Sequence, residues 1–175
     1  MAGDTGRYLI AADQGKSVSL GGIGVVYKIP GETTRGAFAV VEHPIEPGVL
    51  TPPHVHERED EYSYVLAGEV GFRIGDAEFT AGPGCYVLKP RGVPHALWNA
   101  GPAPARLLEI IAPSGFEHYF EEWSELIAHP PIDQERLTEL RQRYQRGSVD
   151  WGPELMAKYH LRLMGQPAPK DHETG

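Results

Sequence analysis

Short apolar runs broken by glycine and proline fill the first two thirds of the chain, and helical periodicity takes over in the last third. Residues 23–29, 37–42, 61–66, 69–74, 77–80, 85–88, 95–99 and 105–112 are rich in β-branched and aromatic side chains or alternate apolar with polar. Turn residues bound them: Pro30-Gly31, Gly68, Gly75-Asp76, Gly82-Pro83-Gly84, Pro90-Arg91-Gly92. This pattern predicts a meander of short strands, hence an all-β sandwich or barrel. A weaker strand signal covers 8–12. Residues 43–60 carry prolines at 44, 47, 52 and 53 and read as irregular.

After Pro113, Phe116, Tyr119, Phe120, Trp123 and Ile127 recur at helical spacing. Ser114 and Glu117 form a capping-box pattern in front of them. Asp133 is placed to cap a second helix, with Ile132 and Leu137 as a hydrophobic staple; Leu137, Leu140 and Tyr144 share its face and Gly147 is expected to end it. Gly152-Pro153 starts a third, expected to run to about residue 163. The expected organisation is an N-terminal segment at 1–22, a β-body at 23–112, a helical tail at 113–165 packed on that body or on a partner subunit, and a disordered polar end at 166–175.

Composition narrows the class. A chain of 175 residues suits one domain with an extension. The formal net charge of −8 argues against nucleic acid or an anionic membrane surface as a partner. No window is apolar enough to span a bilayer, and the N-terminus lacks the basic start and apolar stretch of a secretion signal. The single cysteine, Cys85, forms no intramolecular disulfide and reads as a buried small hydrophobe. A cytoplasmic protein is expected.

Four residues carry the chemistry. His54 and His56 are two apart, so an extended chain turns both imidazoles to one side. Glu61 follows at the start of the next strand, and His95 arrives in a later one. Three imidazoles and a carboxylate inside a barrel suit one divalent transition metal, whether Fe, Ni, Co, Mn, Cu or Zn. Four protein ligands leave up to two positions of an octahedral ion for substrate, water or dioxygen. His43, His118, His129, His160 and His172 lack such spacing and read as surface or satisfied core residues. The charged run 57–60 reads as a solvated loop, and Lys89 and Arg91 as turn residues near the barrel mouth, where they are candidates to attract an anion.

The spacing is also a family resemblance. Gly48-x5-His54-x-His56-x4-Glu61-x6-Gly68 resembles the first cupin motif at every fixed position. Gly84-x5-Pro90-x-Gly92-x2-His95-x3-Asn99 resembles the second, with fifteen residues between Gly68 and Gly84. The resemblance implies a double-stranded β-helix, the cupin jelly-roll barrel, with the helical segment as a C-terminal extension. It also implies a homodimer, since members commonly pair by strand exchange or sheet packing.

Strand parity nominates the pocket. Ser63 and Val65 share the side of Glu61, Leu97 and Asn99 that of His95, and Phe72 and Ile74 are a pair of open parity. Tyr62, Tyr64 and Trp98 fall on the other side and are expected to pack between sheet and tail. Within the cupins, the full ligand set and the aromatic segment after the last strand resemble small quercetin-dioxygenase-like proteins. That implies a metal-dependent dioxygenase acting on a small enolisable or phenolic substrate, with Glu61 as both ligand and general base and a flavonol as the narrowest reading. The alternatives are a non-oxidative isomerase, decarboxylase or lyase, and a non-catalytic module that grips a small ligand.

Overall fold

The computed structural model describes residues 8–166. The strands are β1 (Ser17–Ser19), β2 (Gly24–Ile29), β3 (Ala39–Ile45), β4 (Val49–Leu50), β5 (His54–His56), β6 (Asp60–Ala67), β7 (Val70–Ile74), β8 (Ala77–Ala81), β9 (Tyr86–Lys89), β10 (His95–Asn99), β11 (Ala105–Ala112), β12 (Arg146–Ser148) and β13 (Arg162–Leu163). The helices are α1 (Glu117–Ile127), α2 (Gln134–Arg143) and α3 (Gly152–Tyr159).

Two facing sheets result, the jelly roll the sequence implied. One runs β1-β2-β3-β11-β6-β9. In the other, β10 has β7 on one side, with β8 beyond it, and β4 and β5 in succession on its other side. Inward positions alternate along each strand, so Val65, Phe72, Leu107 and Ile111 are fully buried between the sheets. Gly68 shows why the turn after the first motif needs glycine. Its φ is +71°, and a Cβ there would stand 2.8 Å from Ala105 Cα.

Residues 43–60 are not irregular. β3 continues through Pro44 to Ile45, and β4 and β5 follow. Pro44 lies in this strand with its ring on the exposed face. The strand signal at 8–12 gives no strand; the sheet begins instead at β1.

The tail is woven into the body. Gly147 does not end α2 but sits in β12, which pairs antiparallel with β5. α3 stops at Tyr159, where His160 takes the left-handed conformation, and β13 then lies parallel to β4. Phe116, Tyr119, Phe120 and Trp123 of the α1 segment belong to the same core as the barrel interior. α3 covers the back of the second sheet, with Leu155 and Leu161 against Leu50, Ala96 and Trp98. Asp133 caps α2, accepting from the Glu135 and Arg136 N–H groups at 3.0 and 3.2 Å. No capping box forms at Ser114, because Glu117 turns to the Gly115 and Gly31 N–H groups at 2.5 and 3.2 Å.

The expected disorder of 166–175 lies, apart from Gln166, outside the described residues; the Gln166 carbonyl accepts from Arg162 at 2.9 Å. No helix among the described residues is long and apolar enough to cross a membrane.

Candidate metal centre

Both sheets contribute to one cluster. His54 and His56 flank Val55 on β5, and His95 on β10 stands directly opposite His54. Glu61 reaches across from β6 in the facing sheet. The turn before β10 is tied to β5 by the Gly92 N–H, which donates to the His56 carbonyl at 2.7 Å. One ligand atom from each residue lies within 4.8 Å of all the others.

The distances suit a transition-metal ion. His54 Nε2 and His56 Nε2 are 3.1 Å apart, His56 Nε2 and Glu61 Oε1 3.4 Å, and His95 Nε2 and Glu61 Oε2 3.2 Å. Metal bonds of about 2.1 Å at right angles put neighbouring ligand atoms about 3 Å apart. The outer nitrogens of two rings are already engaged: His54 Nδ1 with the Pro52 carbonyl at 2.8 Å and His95 Nδ1 with that of Val93 at 3.1 Å. Those carbonyls fix the proton on Nδ1 and leave the Nε2 lone pairs facing the centre. Burial and the neighbouring cations keep the His54 ring neutral, and burial pushes His56 down to about 3. Neutral imidazoles and an ionised carboxylate are the forms that bind a cation.

Behind Glu61 lies a buried chain of charges. Lys89 Nζ is 2.8 Å from Glu61 Oε2 and 2.6 Å from Glu109 Oε2. The Ser63 hydroxyl donates to both oxygens of Glu109, at 3.1 and 3.0 Å. Burial pushes the Glu61 carboxyl up, but Lys89, His56 and His95 outweigh it and hold the group well below the usual carboxylate range. Glu109, for which burial outweighs Lys89, is pushed up to about 7. Lys89 is therefore not at the barrel mouth; only Arg91 is exposed, and it is paired with Asp60 at 2.7 Å. Nor is the run 57–60 wholly solvated, since Glu59 is buried with Oε2 3.9 Å from His56 Nδ1.

A cavity of about 50 Å³ opens beside the cluster. Glu61, Lys89, Glu109 and Arg146 give it polar wall, and Phe116, Tyr119 and Phe120 close it from the tail. Of the six pocket candidates, Leu97 lines it. Ser63 is spent on Glu109. Val65 and Phe72 are core, and Ile74 packs half-buried opposite His95. Asn99 fastens a turn, donating to the Ile45 and Ala103 carbonyls at 3.1 and 2.9 Å and accepting from Gly101 N–H at 2.9 Å. Trp98 does pack on the tail, 4.9 Å from the Tyr159 ring, whereas Tyr62 is exposed opposite Leu88 and Tyr64 meets the Tyr86 ring at 4.6 Å. Cys85 is exposed, not buried.

Lys89, Glu109, Arg146 and the aromatic wall were not nominated as pocket residues. Glu109 had a signal: it takes an inward position between Leu107 and Ile111, where a charge is out of pattern. Arg146 had none, because β12 is three residues long and follows a helix.

Residues 42–111 match the family model described as a cupin domain. These residues form a cupin domain. A germin-like protein, subfamily 2 member 2, of Arabidopsis thaliana is 39% identical over 92 residues, which is 49% of this chain and 41% of that protein. The cupin therefore spans less than half of the curated relatives it matches. Among solved structures, KdgF from Halomonas sp. superposes with a TM-score of 0.56 at 18% identity, covering 63% of this chain and 98% of its own. The polyketide cyclase RemF from Streptomyces resistomycificus gives 0.53 at 26% identity, covering 61% and 79%.

Proposed function

We propose that this cupin is a metal-dependent enzyme that binds a small enolisable or phenolic substrate at the His54, His56, Glu61 and His95 centre and oxidises it with dioxygen. The observation that carries this reading is the convergence of three imidazoles and one carboxylate on a small cavity with aromatic walls. When bound, the divalent ion supplies Lewis-acid charge that acidifies a ligated hydroxyl and, if redox-active, a path for dioxygen reduction.

The chain's own residues supply the rest. Glu61 is the candidate general base, because its carboxylate touches both the imidazole cluster and Lys89. A proton taken at Glu61 Oε2 has a hydrogen-bonded route through Lys89 Nζ to Glu109 Oε2. Phe116, Tyr119 and Phe120 exclude water from the reacting group. The cavity favours the smaller candidates over a flavonol, since sites for drug-sized ligands run to about 300 Å³ or more. The single cysteine is compatible with a reducing, cytoplasmic setting.

Two observations favour a second reading, a non-oxidative enolate chemistry such as isomerisation or cyclisation. The 26% identical neighbour is a polyketide cyclase, and the Lys89 and Glu109 pair handles protons, not electrons. Oxygen uptake by iron-, nickel- or cobalt-loaded protein over a panel of 1,3-diketones, catechols and flavonols separates them. Uptake above the apoprotein background is expected for the oxygenase. Turnover of the same panel under nitrogen selects the second reading, and background rates in both gases overturn both.

A further inference from the structure

Arg146 is the one charged residue in the cavity wall that, among the described residues, forms no ion pair. Its strand lies antiparallel to β5 with Arg146 opposite His56, so both side chains emerge on the same face of that pair. The residue is 5% exposed. One guanidinium nitrogen donates to the Pro52 carbonyl at 2.9 Å, and the group stands 5.6 Å from the centre of the Tyr119 ring. No carboxylate among the described residues comes within ion-pair distance of it, whereas Arg73, Arg91, Arg143 and Arg162 each hold one on the surface. Arg141, whose Nε is buried without a partner, adds a repelling positive charge, which the Glu61 carboxylate opposes from beyond ion-pair distance. A buried cation without a counter-ion is costly by several kcal/mol, and a neutral carbonyl needs no guanidinium.

The charge of the whole site points the same way. Even with Glu59, Glu61 and Glu109 all counted as ionised, Lys89, Arg146 and a divalent ion leave one positive charge over. Arginine carries five N–H donors in a planar fork that matches a carboxylate, and Pro52 occupies one nitrogen.

We propose that Arg146 anchors the anionic end of the substrate, and that the substrate is a short carboxylic acid carrying a keto, enol or hydroxyl oxygen within a few ångströms of its acid group. The acid group lies on Arg146 and the second oxygen is turned toward the metal cluster. The apolar remainder meets Phe116 and Tyr119. The cavity limits the whole to a handful of heavy atoms. This inference rests on the metal-centre reading and narrows its substrate class.

The test uses cobalt-loaded full-length protein, whose visible spectrum reports ligands at the metal. It is titrated with pyruvate, glycolate and acetoacetate and with the methyl ester of each. At least one acid is expected to shift the spectrum and to bind about tenfold or more tighter than its ester. Arg146→Met is expected to weaken that acid by about tenfold or more, with cobalt content and ester binding unchanged, and Arg146→Lys to fall between. Equal binding of acid and ester, an Arg146→Met protein that binds the acid as wild type does, or no response to any acid overturns the proposal. If Arg146→Met does not fold, the acid and ester comparison on wild type decides. Failure of wild type to take up cobalt overturns the metal-centre reading itself, and is told apart from the other outcomes by the metal content.

Discussion

Lys89 joins the candidate metal ligand Glu61 to the buried Glu109, and removing it leaves two carboxylates facing each other without a cation. Breaking a buried ion pair from one side costs about 3–5 kcal/mol. Lys89→Met is therefore expected to destabilise the apoprotein by that order in urea denaturation. A divalent metal, which replaces the lost positive charge, is expected to raise the melting temperature of the variant more than that of wild type. Equal metal-induced shifts contradict this account of the charge chain.

His43, which lies outside the four-residue cluster, gives a pH prediction. Its Nδ1 lies 2.9 Å from the Gly24 carbonyl and its ring meets Phe120 edge-on at 5.4 Å. Burial pushes it down to about 4, while the unfolded chain holds a histidine near 6.5. The unfolded chain thus binds the extra proton between these values. The stability contributed by neutral His43 is full above about 6.5 and is lost as pH falls to about 4. Wild-type apoprotein is expected to lose about 2–3 kcal/mol more than His43→Gln between pH 7 and pH 4.5. Parallel losses in the two proteins contradict it.

Among the elements, the tail helices carry structure as well as cavity wall. Leu155 of α3 is fully buried against the back of the second sheet, so Leu155→Ala is expected to cost about 2–5 kcal/mol in denaturant unfolding. A loss under 1 kcal/mol would show that α3 is only loosely attached. The sequence was legible where alternation and turn chemistry agree: β6, β7, β8, β10 and β11 fall where the runs predicted. It was opaque in three places for physical reasons. β4 and β5 are two and three residues long and flanked by prolines, so no period can register. β12 and β13 exist only because edges of the second sheet are there to receive them. The strand expected at 85–88 forms as β9, but its facing was hidden: it exposes Tyr86 and Leu88 and buries Lys89, which meets Glu61 and Glu109. The ligand set survived all this because its signal is residue identity at fixed spacing, which needs no period.

At the scale of the molecule, that facing leaves an apolar stripe. Tyr86 and Leu88 are 75% and 61% exposed, and Tyr62 on the neighbouring strand is 40% exposed. β9 is the outermost strand of its sheet, with one edge unpaired among the described residues. A second copy of the chain suits this face, since a two-fold axis would set the same stripe and the same edge against each other. Light scattering is expected to give twice the chain mass for wild type and the single mass for the Tyr86→Glu, Leu88→Glu double variant. A monomeric wild type contradicts this surface assignment. The central claim lies inside the barrel, where β5 and β10 of one sheet and β6 of the other meet to hold one ion. Its most direct test is the metal content of gently purified and of metal-reconstituted protein, alongside His56→Ala and Glu61→Ala. About one transition-metal ion per chain in wild type, and about a tenfold or greater loss of affinity in each variant, is the predicted result. Wild type without stoichiometric metal after loading with each candidate ion, or variants that hold it as firmly, would contradict the account.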